Sequence, residues 1–166
     1  MNVMAEVSTL IGEIERTRML LDRIDSFYRE FLARHASAQQ RMPEEAIVIA
    51  DVFVNMYTCV ETLFVRISQA FENTLAASRW HQDLLDKMTL HIEGIRVPVI
   101  GDDTHAVAVE FLKFRHFKRY YVEFEYDWDR IEYLQRKYEQ FRSLIARDLE
   151  AFAVFLRSSS NNMRGA

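Results

Sequence analysis

Glycine and proline are scarce in this chain, which contains only 4 Gly and 2 Pro among its 166 residues. β-Sandwiches and β-barrels need these residues for the tight turns that join many short strands. Long helices need few such turns, and a hydrophobic content of 49% is enough for a packed core. The sequence therefore predicts an all-α fold, an antiparallel helical bundle of about five helices.

Apolar residues recur at helical spacing along most of the chain. In the first predicted helix they follow one another at intervals of three, four and seven residues. This stripe consists of Leu10, Ile14, Leu21, Ile24, Tyr28 and Phe31. The second helix is apolar nearly all round, which predicts a place in the middle of the bundle. The five predicted helices cover residues 3 to about 36, 44 to 74, 79 to 92, 102 to 120, and 127 to 157.

Nothing in the sequence divides the chain into several domains. We interpret residues 1–157 as one helical domain, followed by a polar tail at 158–166 that is predicted to be disordered. Residues 122–126 alternate as a strand would, but no partner strand is evident. We therefore expect that segment to be an extended connection between the last two helices.

Charge and cysteine content restrict the function. The formal net charge of −4 gives no overall attraction to nucleic acid or to an anionic membrane, so any such contact must come from a local patch. The single cysteine, Cys59, lies in an apolar run, which favours a buried structural role. Neither a secretory leader nor an uncharged apolar run of about 20 residues is evident. We expect a cytoplasmic protein without a membrane segment.

Motifs for metals and nucleotide cofactors are also missing. The five histidines do not form Glu-x-x-His or His-Glu-x-x-His patterns, and the four glycines stand far apart. We expect neither a metal site nor a cofactor.

Positive charge is concentrated at residues 111–119, which hold four Lys or Arg and no acidic residue. On a helix, part of this segment forms an arc that lies away from the apolar face. The arc consists of Ala108, Leu112, Arg115, His116, Arg119 and Tyr120. A partly basic and partly apolar arc predicts a pocket or a partner surface. The alternative is an ordinary basic helix end, favoured by the helix dipole and paired with acids downstream.

The same segment resembles the signature of the HepT-like proteins of the HEPN superfamily. That signature is an Arg, a polar residue, three further positions and a His, often followed two residues later by a Tyr. Arg115 and His116 match its first two positions. The resemblance extends over residues 45–157.

Two other segments are similar to the family in the same order. Tyr57 and Glu61 match a pattern in its second helix, and Trp80-His81 matches the start of its third helix. The resemblance implies that Tyr57 and Glu61 help to line the family's cleft, although a structural hydrogen bond would explain them as well. We interpret Trp80 and His81 as a half-buried pair with a capping role.

The resemblance implies a metal-independent ribonuclease that works as a homodimer, with the motif residues of both protomers around one cleft. It also implies a nucleotidyltransferase antitoxin as a partner and RNA as the ligand. Arg115 would hold the phosphate, with help from Lys118 and Arg119, because arginine binds phosphate through two parallel hydrogen bonds. Ala108 and Leu112, on the same arc, suggest where the two protomers would meet.

The sequence departs from the family at the catalytic histidine. Tyr120 stands at the histidine position, and Val122 stands where the tyrosine often follows. Tyrosine, with a pKa of about 10, is a poor base at neutral pH, whereas histidine titrates near 6.5. His116 is an alternative base, although it matches the variable polar position. We therefore expect weak or absent cleavage with RNA binding retained, and the competing hypothesis is a non-catalytic interaction bundle.

Overall fold

A computed structural model of the chain describes residues 3–36, 40–71, 80–120 and 125–164. It contains five helices, which are α1 (Val3–His35), α2 (Pro43–Phe71), α3 (Trp80–Lys87), α4 (Asp102–Tyr120) and α5 (Trp128–Arg164). Within the described ranges there is no strand, and the only β-type pairing is an isolated bridge between Ile92 and Arg96. The prediction of an all-α bundle is confirmed.

The second helix occupies the centre of this bundle, since α2 packs against α1, α3, α4 and α5. Ile49, Phe53, Val60 and Phe64 are all at most 2% exposed, so α2 is buried on several sides as its sequence predicts. By length and composition α2 could also cross a membrane, but 56% of its most apolar window is buried inside the protein. Its packing is that of a core helix.

The single cysteine, Cys59, lies on α2 and is half-buried. Cys59 is a free thiol that packs at the edge of the core. Burial raises its pKa, so the reactive thiolate is disfavoured and the structural role predicted for this cysteine fits its surroundings.

The apolar face of α4 points into the core as predicted. Val107, Phe111 and Phe114 are buried, and the Phe111 ring meets the Phe53 ring of α2 edge-on at 5.6 Å. Because this face is buried, only the other sides of α4 can contact ligands or partner proteins.

The third helix is shorter than predicted, ending at Lys87 rather than near residue 92. The guanidinium of Arg96, which is only 2% exposed, donates to the carbonyl of Lys87 at 2.9 Å and to that of Leu90 at 3.0 Å. The carbonyl of Met88 accepts from the backbone amide of Val99 at 2.8 Å. Because these carbonyls have partners outside the helix, the chain turns here instead of continuing as helix.

The last helix is longer than predicted, since α5 continues to Arg164 instead of ending near Arg157. The helix thus includes most of the segment that was predicted to be disordered. Ser159 donates its hydroxyl to the carbonyl of Phe155 at 3.0 Å, and Ser160 is 8% exposed. Serine side chains that hydrogen-bond to a carbonyl of the preceding turn are compatible with a helix. The prediction that the last helix ends near residue 157, which rested on the polar composition of the tail, is therefore wrong.

Candidate functional site

One cavity of about 470 Å³ lies where three helices meet, and most of its lining side chains are basic or are histidines. Val54 comes from α2, and His81 comes from the start of α3. Four residues of α4 complete the lining, and they are Arg115, His116, Lys118 and Arg119. We call this cavity the basic cleft. Three residues of the predicted arc, Arg115, His116 and Arg119, therefore line a pocket, and Lys118 lines it with them.

Glu61 lies at the base of the cleft and is only 6% exposed. Its Oε2 accepts from Arg115 Nη1 at 2.5 Å, and its Oε1 accepts from Arg115 Nη2 at 3.0 Å. This bidentate pair satisfies a carboxylate that would be costly to bury alone. It also fixes the position of the Arg115 guanidinium, whose side chain remains 17% exposed.

His81 is the third member of this cluster. Its Nδ1 lies 2.7 Å from Glu61 Oε1 and 2.8 Å from Arg115 Nη2. Nδ1 can donate to the carboxylate or accept from the guanidinium, but one nitrogen cannot do both at once. The Trp80 ring lies beside the imidazole, with 3.6 Å between ring centroids. His81 is thus held from both sides, and Trp80 and His81 are half-buried as predicted.

Tyr57 supports the cluster from below. Its ring is 1% exposed, and the Arg115 guanidinium carbon lies 5.1 Å from the ring centroid, a cation–π contact. Burial raises the pKa of the Tyr57 phenol, the Glu61 charge raises it further, and Arg115 opposes both. The structure places both Tyr57 and Glu61 beneath the cleft, where they hold Arg115, and neither is part of its lining.

His116 and Arg119 are the exposed residues of the cleft. The His116 ring meets the His81 ring edge-on, with 5.6 Å between centroids. Burial lowers the pKa of His116, and the nearby His81 and Arg115 charges lower it further. The neutral form of the His116 imidazole, which can accept a proton, is therefore favoured. Arg119 forms no ion pair with any residue in the described ranges.

Lys118 is less available than its charge suggests. Its Nζ lies 2.6 Å from Asp51 Oδ1 of α2, and its side chain is 22% exposed. Asp51 is 59% exposed, so the pair is partly solvated and contributes little to stability. Lys118 can exchange this carboxylate for a phosphate at small cost.

Tyr120 is the last residue of α4, but its side chain lies outside the described residues, as does all of Val122. The departure from the family motif at these two positions is therefore known from the sequence alone.

The predicted partner surface on α4 is wrong in its apolar part. Ala108 is fully buried and Leu112 is 3% exposed within a single chain. Both belong to the chain's own core, because α2 and α3 pack on α4. These residues cannot form a dimer contact without opening the protomer.

Beyond the cleft, no group of three or more His, Cys, Asp and Glu residues that could hold a metal ion occurs among the described residues.

A comparison with protein-family models finds one match, to the family described as HepT-like protein, over residues 48–156. The match begins within α2 and includes all of α3 and α4 and most of α5, so it contains every residue of the basic cleft. No curated protein and no solved structure matches the chain.

Proposed function

Since the chain belongs to the HepT-like family of the HEPN superfamily, we propose that its basic cleft binds the phosphodiester backbone of RNA. One observation carries the proposal: five basic or histidine side chains converge on one cavity in a protein of net charge −4. The cavity of about 470 Å³ lies within the usual range for small-ligand sites and is large enough for a nucleotide. A local positive surface of this kind attracts polyanions even when the whole protein is acidic.

Arg115 retains donors for a phosphate although it is paired with Glu61. A guanidinium has five N–H groups, and the bidentate pair uses one on each terminal nitrogen. The remaining donors are Nε, the second hydrogen of Nη1 and, when His81 Nδ1 does not accept it, the second hydrogen of Nη2. Arg119, which is exposed and has no acidic partner in the described ranges, would supply a second phosphate contact at the mouth of the cleft.

The resemblance extends the proposal to biological context. HepT-like proteins are toxin-type proteins, and we propose a cytoplasmic homodimer that acts on RNA without a metal ion or cofactor. A nucleotidyltransferase antitoxin would be its partner. Because Tyr120 replaces the motif histidine, cleavage at the cleft would be slow.

The decisive experiment measures binding of a fluorescent single-stranded RNA by anisotropy at several salt concentrations. Arg119→Ala is expected to weaken binding and to reduce the slope of log affinity against log salt by about 0.7, the value for one lost phosphate contact on a single strand. The matched control is Arg136→Ala, an exposed arginine of α5 that does not line the cleft.

Two results would contradict the proposal. If the wild type does not bind RNA at moderate salt, the cleft is not an RNA site and the chain is better described as a non-catalytic interaction bundle. If both variants weaken binding equally, RNA binds elsewhere or without a defined site.

A further inference from the structure

We propose that His81, oriented by Glu61, is the residue that accepts the proton of the ribose 2′-hydroxyl when RNA is cleaved at this cleft. The proposal rests on RNA binding at the basic cleft and names the group that performs the chemistry there. This assigns a catalytic residue at the start of α3, whereas the Arg and His positions of the family signature both lie on α4.

The first argument is the way the imidazole is held. Nδ1 of His81 faces the Glu61 carboxylate at 2.7 Å, while the Trp80 ring packs beside the imidazole. Among the described residues only this nitrogen has a hydrogen-bond partner, so Nε2 is left for the cleft that His81 lines. When Nδ1 donates to this carboxylate, the other ring nitrogen carries a lone pair, and the carboxylate stabilises the imidazolium that forms.

The second argument is the exclusion of the other cleft residues. Arg115 and Arg119 stay protonated at any relevant pH, and Lys118 is paired with Asp51 as an ammonium. His116 is exposed and has no hydrogen-bond partner in the described part of the chain, so no hydrogen bond orients its ring for proton transfer. Only His81 combines a titratable nitrogen, a fixed orientation and access to the cleft.

The third argument is the triangle formed by His81, Glu61 and Arg115. When Arg115 Nη2 donates to His81 Nδ1, at 2.8 Å, the hydrogen of the imidazole must reside on Nε2, and the ring is not a base toward the cleft. A phosphate that attracts the guanidinium takes up this donor. The ring takes up a proton from solvent at Nδ1, which donates it to Glu61, and releases the Nε2 proton to solvent, so Nε2 becomes the acceptor. Substrate binding and activation of the base are thereby coupled through Arg115.

The step is a transesterification. The 2′-oxygen forms a bond to the adjacent phosphorus, and its proton passes to His81 Nε2. The bond from phosphorus to the 5′-oxygen breaks, and that oxygen takes a proton from solvent. His81 then returns its proton to solvent, so the products are a 2′,3′-cyclic phosphate and a 5′-hydroxyl, with no change in redox state. Arg115 stabilises the charge on the phosphoryl oxygens.

The test uses single-turnover cleavage of an RNA oligonucleotide by excess full-length protein, with a 2′-deoxy oligonucleotide as the uncleavable control. His81→Ala is expected to lower the cleavage rate by roughly 10² or more, the usual contribution of a general base, while RNA affinity changes by less than about threefold. The matched control is His116→Ala, which removes the other histidine of the cleft and is expected to lower the rate by less than tenfold.

Chemical rescue separates a catalytic role from a structural one. Free imidazole is expected to restore cleavage in His81→Ala and to have no effect on His116→Ala, because only the former leaves a vacant position beside Glu61. If His81→Ala is poorly folded by circular dichroism, His81→Gln replaces it in the rate comparison, since its amide can keep the contact with Glu61.

Each result supports or overturns the proposal. Loss of cleavage with retained binding and imidazole rescue supports it. Unchanged cleavage in His81→Ala, or loss without rescue, overturns it. A wild type that binds RNA without cleaving it overturns this proposal but leaves the RNA-binding function intact, whereas failure to bind RNA overturns the proposed function itself.

Discussion

Helix α4 is held near both of its ends by a buried carboxylate, and the two carboxylates differ in their partners. At the start of the helix, Asp148 of α5, which is 9% exposed, accepts from the backbone amide of Gly101 at 2.9 Å and from the hydroxyl of Thr104 at 2.5 Å. In the second half of the helix, Glu61 of α2 accepts from Arg115 and faces His81. The two acids are about equally buried.

Their donors show which of them serves a function. The amide and hydroxyl bound by Asp148 do not titrate at any relevant pH. Asp148 also accepts from Arg147 Nε at 2.9 Å, but the Arg147 side chain is 55% exposed and does not line the basic cleft, so the contacts of Asp148 fix the start of the helix. Glu61 is bound to two ionisable side chains, and both of them line an open cavity. The degree of burial does not separate a structural carboxylate from a functional one in this protein, whereas the position of the ionisable partners, inside or outside the basic cleft, does.

The largest effect is expected when Glu61 is removed. Glu61→Ala leaves the mostly buried Arg115 guanidinium without its counter-charge, which costs about 3–5 kcal/mol. For a domain of this size the melting temperature should fall by roughly 6–20 °C, measured by circular dichroism. The double variant Glu61→Leu/Arg115→Met, which replaces the pair by apolar groups, should recover much of the loss. A single variant as stable as the wild type would contradict the bidentate pair.

Changing Tyr120 tests the catalytic capacity of the same half of α4. Tyr120→His restores the family motif and should raise metal-independent RNA cleavage by about 10²-fold, since it adds a second group for proton transfer. Combining it with Arg115→Lys, which keeps the charge but loses the bidentate geometry, should remove most of the gain. If Tyr120→His cleaves no faster than the wild type in a single-turnover assay, the missing histidine does not limit the reaction.

Much of the fold could be predicted from local sequence signals. Scarce Gly and Pro together with the apolar periodicity correctly predicted five helices. The end of α3 could not be predicted, because it depends on a single buried side chain, Arg96, that binds carbonyls six and nine residues earlier. Helical periodicity carries no information about such a contact.

The site was predictable only along α4. The arc with Arg115 and His116 followed from the helical repeat. The repeat does not show which residues of the arc are buried by neighbouring helices of the same chain. Leu112 was therefore misassigned to a partner surface. The cluster around Glu61 joins residues separated by 20 and 54 positions, so its hydrogen bonds appear only in the folded chain. The one sequence signal for His81 was its place beside Trp80 in the segment that resembles the family.

Removing the other carboxylate should affect stability alone. Asp148→Ala leaves the Thr104 hydroxyl, which is fully buried, without its acceptor and also removes the contact to the Gly101 amide. The expected cost is about 1–3 kcal/mol in urea denaturation, and Asp148→Asn, which keeps an acceptor oxygen, should cost less. RNA affinity, measured where the variant is fully folded, should equal that of the wild type. A selective loss of RNA binding in Asp148→Ala would remove the distinction between the two carboxylates.

The smallest expected effect is the pH dependence that His116 adds to the cleft. Its pKa is lowered from 6.5 by burial and by the His81, Arg115 and Arg119 charges, with Glu61 acting in the opposite direction. Below pH 6.5 the unfolded chain therefore binds a proton more readily at this residue than the folded chain does, and stability decreases as the pH falls through that window.

A bound phosphate reverses this balance, because it favours the charged imidazolium of His116. RNA affinity should therefore rise as the pH falls from 7.5 to 5.5, by about fivefold, which corresponds to one added charge at about 1 kcal/mol. Because the chain has four other histidines, the informative quantity is the difference between the wild type and His116→Gln, measured by anisotropy at constant salt. If the two proteins show the same pH dependence, the rise comes from His81 or from outside the cleft, and His116 does not face the bound phosphate.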